Sequence, residues 1–93
     1  TAVAGQLYRI AQEAVNNAVK HSKARRIVIA LARDAGELRL SVADNGRGFT
    51  EARTPGLGLQ VMRHRASVVG AELAVESVPG RGTTVRCRLP LRK

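Results

Sequence analysis

The chain has 93 residues, which is enough for one domain and too few for two. Apolar residues make up 44% of it, and no run approaches the roughly 18 to 20 consecutive apolar residues of a transmembrane helix. The net charge of +9 favours an anionic partner. Nucleic acid is a poor candidate, because the basic residues are scattered and Tyr8 and Phe49 are the only aromatic side chains available for base stacking. A small ligand that carries phosphate fits the charge better.

The first half of the chain predicts one amphipathic helix and two strands. From Gln6 to about Lys20, apolar and small residues recur at the spacings of one helical face. A strand rich in branched apolar residues is predicted over Arg26 to Arg33, and a strand of alternating apolar and polar residues over 38–42. Because Asp34-Ala35-Gly36 supplies turn chemistry between them, the two strands are expected to form a hairpin.

The second half predicts another helix and another pair of strands. A glycine-rich segment, residues 44–58, leads into a helix from about Leu57 to Val69, which Gly70 ends. Alternating residues then predict strands over 73–77 and 85–89, and Cys87 in the last of them is expected to be buried and structural. This order of elements predicts an α+β fold, a two-layer α/β sandwich rather than a doubly wound parallel sheet.

The first predicted helix carries a polar stripe with the chemistry of phosphoryl transfer. Glu13, Asn17 and Lys20 are four and three residues apart and therefore share one face. The carboxylate can act as a base or orient a water, the amide oxygen is a hard ligand suited to Mg²⁺, and the ammonium can contact phosphate. The same spacing is also ordinary surface patterning, so the stripe alone leaves both interpretations open.

The glycine-rich segment offers a second set of polar groups. Asp44, at the end of a buried strand, can accept a hydrogen bond from an exocyclic amine such as N6 of adenine, and Gly46 and Gly48 let the backbone approach a flat base. The backbone N–H groups of Gly56-Leu57-Gly58-Leu59, which opens the second helix, suit phosphate oxygens. Asp-Asn-Gly is also a common turn, and neither a Walker loop nor a Rossmann fingerprint is present.

Taken together, these segments resemble the ATP-binding catalytic domain of two-component sensor histidine kinases. Residues 12–21 (QEAVNNAVKH) resemble the N box of that family, and residues 44–49 (DNGRGF) resemble its G1 box. Gly56-Leu57-Gly58-Leu59 with Met62-Arg63 resembles the G2 box, and residues 79–83 (PGRGT) resemble the closing Gly-x-Gly-Thr. The four motifs occur in the family's order and cover nearly the whole chain. The N box is similar to that of the subfamily paired with helix-turn-helix response regulators.

The resemblance implies the Bergerat fold, with a mixed, mostly antiparallel sheet covered on one face by helices, and with ATP and Mg²⁺ as cofactors. Asn17 would hold Mg²⁺, Asp44 would bind the adenine amine, and Lys20 would touch phosphate. Glu13 would be the catalytic base or would orient a water; an acidic residue beside the phospho-acceptor histidine is its rival for that role. The other ATP-binding residues would be His21, Gly46, Gly48, Gly56, Leu57, Gly58, Leu59 and Thr83.

The resemblance also implies what lies beyond the chain. Residues 1–93 would form a single domain, a fragment without the dimerisation and phospho-acceptor domain, because His21 and His64 lie in the wrong contexts to accept phosphate. Since domains of the family usually start with another strand or helix before Leu7, the fragment can also lack the first element of the fold. Thr50 to Pro55 would be a short ATP lid. The parent would be a homodimer and this fragment a monomer. The domain would be cytoplasmic, its parent can be anchored in the bacterial membrane, and its contact with the response regulator would be indirect.

Two alternatives stand beside this interpretation. An anti-sigma-factor serine kinase of the same fold superfamily has a similar N box, although the Gly-Leu-Gly-Leu run and the Pro-Gly-x-Gly-Thr turn favour the histidine kinase. A non-catalytic nucleic-acid binder driven by the +9 charge would show steeply salt-dependent DNA binding that ATP does not compete away. We expect no direct contact with nucleic acid.

Overall fold

Two helices cover one face of a four-stranded sheet in this computed structural model, which describes residues 2–50 and 56–91. The elements are α1 (Ala2–Lys20), β1 (Ile27–Asp34), β2 (Glu37–Asp44), α2 (Leu59–Val68), β3 (Glu72–Val78) and β4 (Gly82–Pro90). The strand order is β1-β2-β4-β3, and all three pairings are antiparallel. The predicted α+β sandwich is confirmed, and the described strands form an antiparallel sheet rather than a mixed one.

One hydrophobic core lies between the sheet and the helices. Helix α1 contributes Leu7, Ile10 and Ala14, whose spacings of three and four place them on one face. Ile10 and Met62 of α2 are fully buried, and each such side chain stabilises the fold by about 1.5–3 kcal/mol. The alternating residues of the two central strands that complete this core are Leu40, Val42, Val85, Cys87 and Leu89. Burial raises the pKa of the Cys87 thiol and keeps it protonated, as a structural cysteine should be.

The helix boundaries differ from the predicted ones for local reasons. Helix α1 begins at Ala2 rather than Gln6, and Val3 extends its apolar face onto the core. Helix α2 begins at Leu59 rather than Leu57, because Gly58 has a left-handed backbone with φ 68° that no helix can include. The helix then ends near Gly70, as predicted, with φ 74° at that glycine.

Strand β1 is an edge strand whose apolar side chains are largely exposed. It pairs with β2 through a two-residue turn at Ala35 and Gly36, both at positive φ, as the turn chemistry predicts. Ile29 and Leu31 remain 56% and 62% exposed. Together with the first half of α1 they line an open groove of about 440 Å³, which also includes Val3, Leu7, Tyr8, Ala11, Leu38 and Leu40.

The opposite face of the sheet carries arginines that are paired with carboxylates. Arg88 bonds Glu72 and lies 3.2 Å from Glu37, and Arg39 lies 3.0 Å from Glu37. The arginine side chains of these pairs are exposed to solvent, which screens the charges, so each pair contributes little to stability. Some of the 16 basic residues are thus neutralised locally on this face. No helix in residues 2–50 or 56–91 is long and apolar enough to cross a membrane.

Candidate functional site

The glycine loop, residues 45–50, leaves β2 after Asp44 and crosses the turn that ends α1. The backbone N–H of Arg47 donates to the carbonyl oxygen of Ser22 at 2.7 Å, and its guanidinium Nε donates to the carbonyl oxygen of His21 at 3.2 Å. At Gly46 the approach is so close that a β-carbon would collide with the backbone and hydroxyl of Ser22. Only glycine fits there, which explains the third residue of the Asp-x-Gly motif.

The far side of the loop is held by the β3–β4 hairpin. Gly80 donates its backbone N–H to the carbonyl oxygen of Arg47 at 2.7 Å. Phe49 donates its backbone N–H to Oγ of Ser77 at 2.9 Å, and Ser77 shares a 2.7 Å hydrogen bond with the hydroxyl of Thr83. The loop is therefore fixed between a helix end and a hairpin, which gives it the rigidity a binding surface needs.

The carboxylate of Asp44 lies at the centre of this arrangement and is bonded on one side only. Its Oδ1 accepts the backbone N–H of Gly46 at 2.8 Å and the hydroxyl of Ser22 at 3.0 Å. Oδ2 accepts no hydrogen bond from the part of the chain that the structure describes. Thr83 pairs with Asp44 across the β2–β4 ladder, so their side chains lie side by side on the same face. The half-buried carboxylate thus keeps one acceptor free for a ligand.

A second group of predicted residues meets where α1 contacts the start of α2. Asn17 is 5% exposed and donates its amide N–H to the carbonyl oxygen of Leu57 at 2.7 Å, which leaves the amide oxygen to act as an acceptor or metal ligand. The carboxylate of Glu13 lies directly against Gly58, where a β-carbon would collide with it. Asn17 of the helix stripe and Leu57 of the second glycine motif are 40 residues apart in the sequence but are hydrogen bonded. The two segments therefore form one surface.

These two groups are joined through the end of α1. The carbonyl oxygen of Asn17 accepts the backbone N–H groups of both His21 and Ser22, at 2.9 and 3.0 Å. Lys20 is exposed in the last turn of α1, and His21 follows it half-buried. Gly56 lies exposed just before Leu57, which is buried, and Leu59 opens α2 in the core. The acceptor at Asp44 is thus connected through Ser22 to the end of the helix that carries Glu13, Asn17 and Lys20.

Part of the site lies outside the described residues. Of the predicted lid, Thr50 to Pro55, the structure describes Thr50 alone, so the lid stays a prediction.

Three polar residues gained no role from the sequence: Ser22 and Ser77, which bond the glycine loop, and Asn45. The side-chain oxygen of Asn45 accepts two backbone N–H groups just before β1, from Arg25 and Arg26. The side chain of Asn45 therefore also anchors the loop locally. The only signal for this in the sequence was the position of Asn45 inside the DNGRGF motif.

Comparison with known proteins places this chain in a family. Residues 2–93 match the family model described as histidine kinase-, DNA gyrase B- and HSP90-like ATPase. The chain belongs to this ATPase family. The match covers both the helix stripe and the glycine motifs, and the ATPase domain that it defines implies that the chain binds ATP.

Individual members of the ATPase family resemble the chain closely. It is 40% identical over 91 residues to the sensor histidine kinase LiaS of Bacillus subtilis, covering 96% of this chain and 25% of that protein. The histidine kinase domain of the blue-light activated histidine kinase EL346 of Erythrobacter litoralis superposes with a TM-score of 0.82 at 30% identity, covering 97% of this chain and 45% of that one. For the ATP binding domain of PrrB from Mycobacterium tuberculosis the TM-score is 0.79 at 26% identity, with 96% and 69% covered. The chain spans about a quarter of the length of LiaS.

The close approach at Gly46 makes a direct prediction about stability. Gly46→Ala should lower the free energy of unfolding by about 1–3 kcal/mol, because the new β-carbon must displace the backbone of Ser22. Gly5→Ala is the matched control: its β-carbon meets nothing within 4 Å, and replacing a helical glycine should raise stability by about 0.5–1 kcal/mol. Urea denaturation of both variants measures the difference. Equal stability of the two variants would contradict the packing described here.

Proposed function

We propose that this chain is the ATP-binding catalytic domain of a sensor histidine kinase. In the parent protein it holds Mg-ATP and donates the γ-phosphoryl group to a histidine on a separate dimerisation domain, from which the group passes to an aspartate of a response regulator. The observation that carries the proposal is the half-bonded carboxylate of Asp44, which hydrogen bonds connect through Ser22 to Asn17 and its contact with Leu57, within a chain whose similar proteins are sensor kinases. These same relatives favour the histidine kinase over the anti-sigma-factor serine kinase.

Adenine recognition rests on Asp44. Two donors occupy Oδ1, and they orient the carboxylate so that Oδ2 accepts the exocyclic amine of the base. Thr83, 5% exposed and opposite Asp44 in the ladder, adds a hydroxyl beside the same edge of the base. Gly46 and Gly48 let the loop pack closely below this site, because β-carbons there would collide with the backbones of Ser22 and Val78. Together these groups select a flat ring that presents a donor.

The phosphate end of the site is built on α1 and the segment that precedes α2. Asn17 fits as a ligand for Mg²⁺, because its amide N–H is occupied by Leu57 and its oxygen, a hard ligand, is left for the cation. When bound, Mg²⁺ supplies charge neutralisation on the phosphates. Lys20, exposed in the last turn of α1, would touch the same phosphates, and His21 would lie against the nucleotide. Gly56, Leu57, Gly58 and Leu59 frame the triphosphate with their backbone.

Glu13 is the proposed general base or water-orienting group. Its carboxylate is half-buried against Gly58 and one turn of α1 from Asn17, so it lies beside the proposed metal ligand. The rival for this role is an acidic residue next to the phospho-acceptor histidine of the parent. In either case the contact with Gly58 couples Glu13 to the segment that carries the nucleotide phosphates.

The parent protein is proposed to extend beyond this domain. The open groove between α1 and β1 leaves Ile29 and Leu31 largely exposed, and a further element of the parent would cover them and the free edge of β1. The dimerisation domain with its phospho-acceptor histidine is a partner of the same parent, which is a homodimer, whereas this fragment is a monomer. The domain is cytoplasmic in a membrane-anchored or free parent, and it serves a helix-turn-helix response regulator.

Replacing the adenine acceptor should abolish most nucleotide affinity. Asp44→Asn should weaken ADP binding at least about tenfold, because a carboxylate acceptor becomes an amide that can present its own N–H groups to the base. Asp34→Asn is the control, since it makes the same change in a side chain that is 71% exposed at the end of β1. Isothermal titration calorimetry in the presence of Mg²⁺ measures both. Unchanged affinity in Asp44→Asn would count against the assignment.

The phosphorylated product distinguishes the proposed function from the serine kinase. When the chain is mixed with ATP, Mg²⁺ and a purified histidine-bearing dimerisation domain of its parent, we expect label from the γ-phosphate on that domain. The label should be lost in acid and retained in base, because phosphohistidine is a phosphoramidate. Acid-stable label, characteristic of phosphoserine, would contradict a histidine kinase. The chain incubated alone with ATP is the control and should acquire little label.

A further inference from the structure

Ser22 is a fully buried polar residue at the junction of α1 and the glycine loop. Its backbone N–H donates to the carbonyl oxygen of Asn17 at 3.0 Å, and its own carbonyl oxygen accepts the N–H of Arg47 at 2.7 Å. The backbone of Ser22 is therefore fixed from both sides, by the helix and by the loop.

The direction of the two hydrogen bonds made by this hydroxyl can be derived from the partners. The backbone N–H of Gly48, 3.1 Å away, can only donate, so Oγ of Ser22 accepts there. The single proton of the hydroxyl is then directed to Oδ1 of Asp44, at 3.0 Å. Because Oδ1 also accepts the N–H of Gly46, this oxygen is held by two donors and the carboxylate cannot rotate freely.

We propose that Ser22 is a positioning residue for base selection: its hydroxyl holds the Asp44 carboxylate so that Oδ2 faces the 6-amino group of a purine. The inference rests on the proposed binding of ATP and adds a determinant of which purine is accepted. A fixed carboxylate oxygen accepts a bond from a 6-amino group and repels a 6-oxo group. A carboxylate that can rotate would discriminate less, because it can turn Oδ2 away from the oxygen of the wrong base.

Removal of the hydroxyl leaves the rest of the junction in place. In Ser22→Ala the backbone bonds to Asn17 and Arg47 remain, and the loop keeps its contacts with Ser77 and Gly80. What is lost is the bond to Asp44 and the partner of the Gly48 N–H. Loss of the Gly48 partner affects every nucleotide alike, whereas loss of the bond to Asp44 disfavours the nucleotide whose base carries the amine relative to the one whose base carries the oxygen.

The test compares ADP with inosine diphosphate, which carries an oxygen in place of the 6-amino group. Isothermal titration calorimetry gives the dissociation constants of both for the 93-residue chain and its variants. We expect Ser22→Ala to lower the ratio of the inosine diphosphate constant to the ADP constant by about tenfold. Ser67→Ala, which removes an exposed hydroxyl bonded to the carbonyl oxygen of His64, is the matched control and should leave the ratio unchanged.

A double-mutant cycle separates positioning from a general structural effect. In an Asp44→Ala background, Ser22→Ala should not change the ratio further, because the group that it orients is gone. If Ser22→Ala weakened the binding of both nucleotides equally, the inference would be overturned, but the proposed binding of ATP would stand. Failure of the unsubstituted chain to bind ADP would overturn the proposed function itself, and the inference with it.

A second variant covers the case in which Ser22→Ala does not fold. Ser22→Cys keeps a side chain at the position but replaces the hydroxyl with a weak donor. It should show the same loss of discrimination between the two nucleotides, with a cooperative thermal unfolding transition as evidence of a folded chain. A folded Ser22→Cys variant with the unsubstituted ratio would overturn the inference.

Discussion

The contact between the end of α1 and the glycine loop determines the geometry of the whole site. Gly46 lies so close to Ser22 that no side chain fits between the two backbones, and the Arg47 N–H bonds across the same junction. Since Asp44 immediately precedes this loop, the contact fixes where the carboxylate lies relative to the helix. The core positions α1 on the sheet through Ile10 and Ala14, so errors in core packing would be transmitted to the site.

Helix α1 therefore has two functions along its length. The residues facing the sheet belong to the core, and the stripe of Glu13 and Asn17 faces the segment before α2. The bond from Asn17 to Leu57 makes the position of that segment depend on the helix. A nucleotide bound between the glycine loop and this segment would contact both ends of one connected network of hydrogen bonds, from Asp44 through Ser22 to Asn17.

The sequence predicted the elements well wherever one periodicity dominated. The helical face through Ile10 and the alternation around Cys87 each have one buried side, and both were confirmed. The start of α2 was wrong by two residues, because Gly58 has a left-handed backbone, which the helical periodicity of the apolar residues does not reveal. The exposure of β1 was not visible either, since an apolar run does not reveal whether its strand lies at a sheet edge.

The motifs of the candidate site could be predicted from the sequence, but the hydrogen bonds that connect them could not. Asp44, Asn17 and the glycines could be selected because each has a distinct chemical property at a recurring spacing. The role of Ser22 arises from contacts with residues 22 and 26 positions away, and a serine after a helix has many ordinary explanations. Such a contact needs the folded chain, because it is created by the closure of the β-sheet beneath the helix.

The central claim, that ADP or ATP binds between the glycine loop and α1, is tested most directly by an amide chemical-shift titration. Mg-ADP is added to the isotopically labelled 93-residue chain, and the shifts are mapped onto the sequence. The account predicts that the largest changes occur at Asn17, Gly46, Gly48 and Gly58, with little change along β1. Changes concentrated in the apolar groove at β1, or spread over the arginines of the outer sheet face, would contradict it.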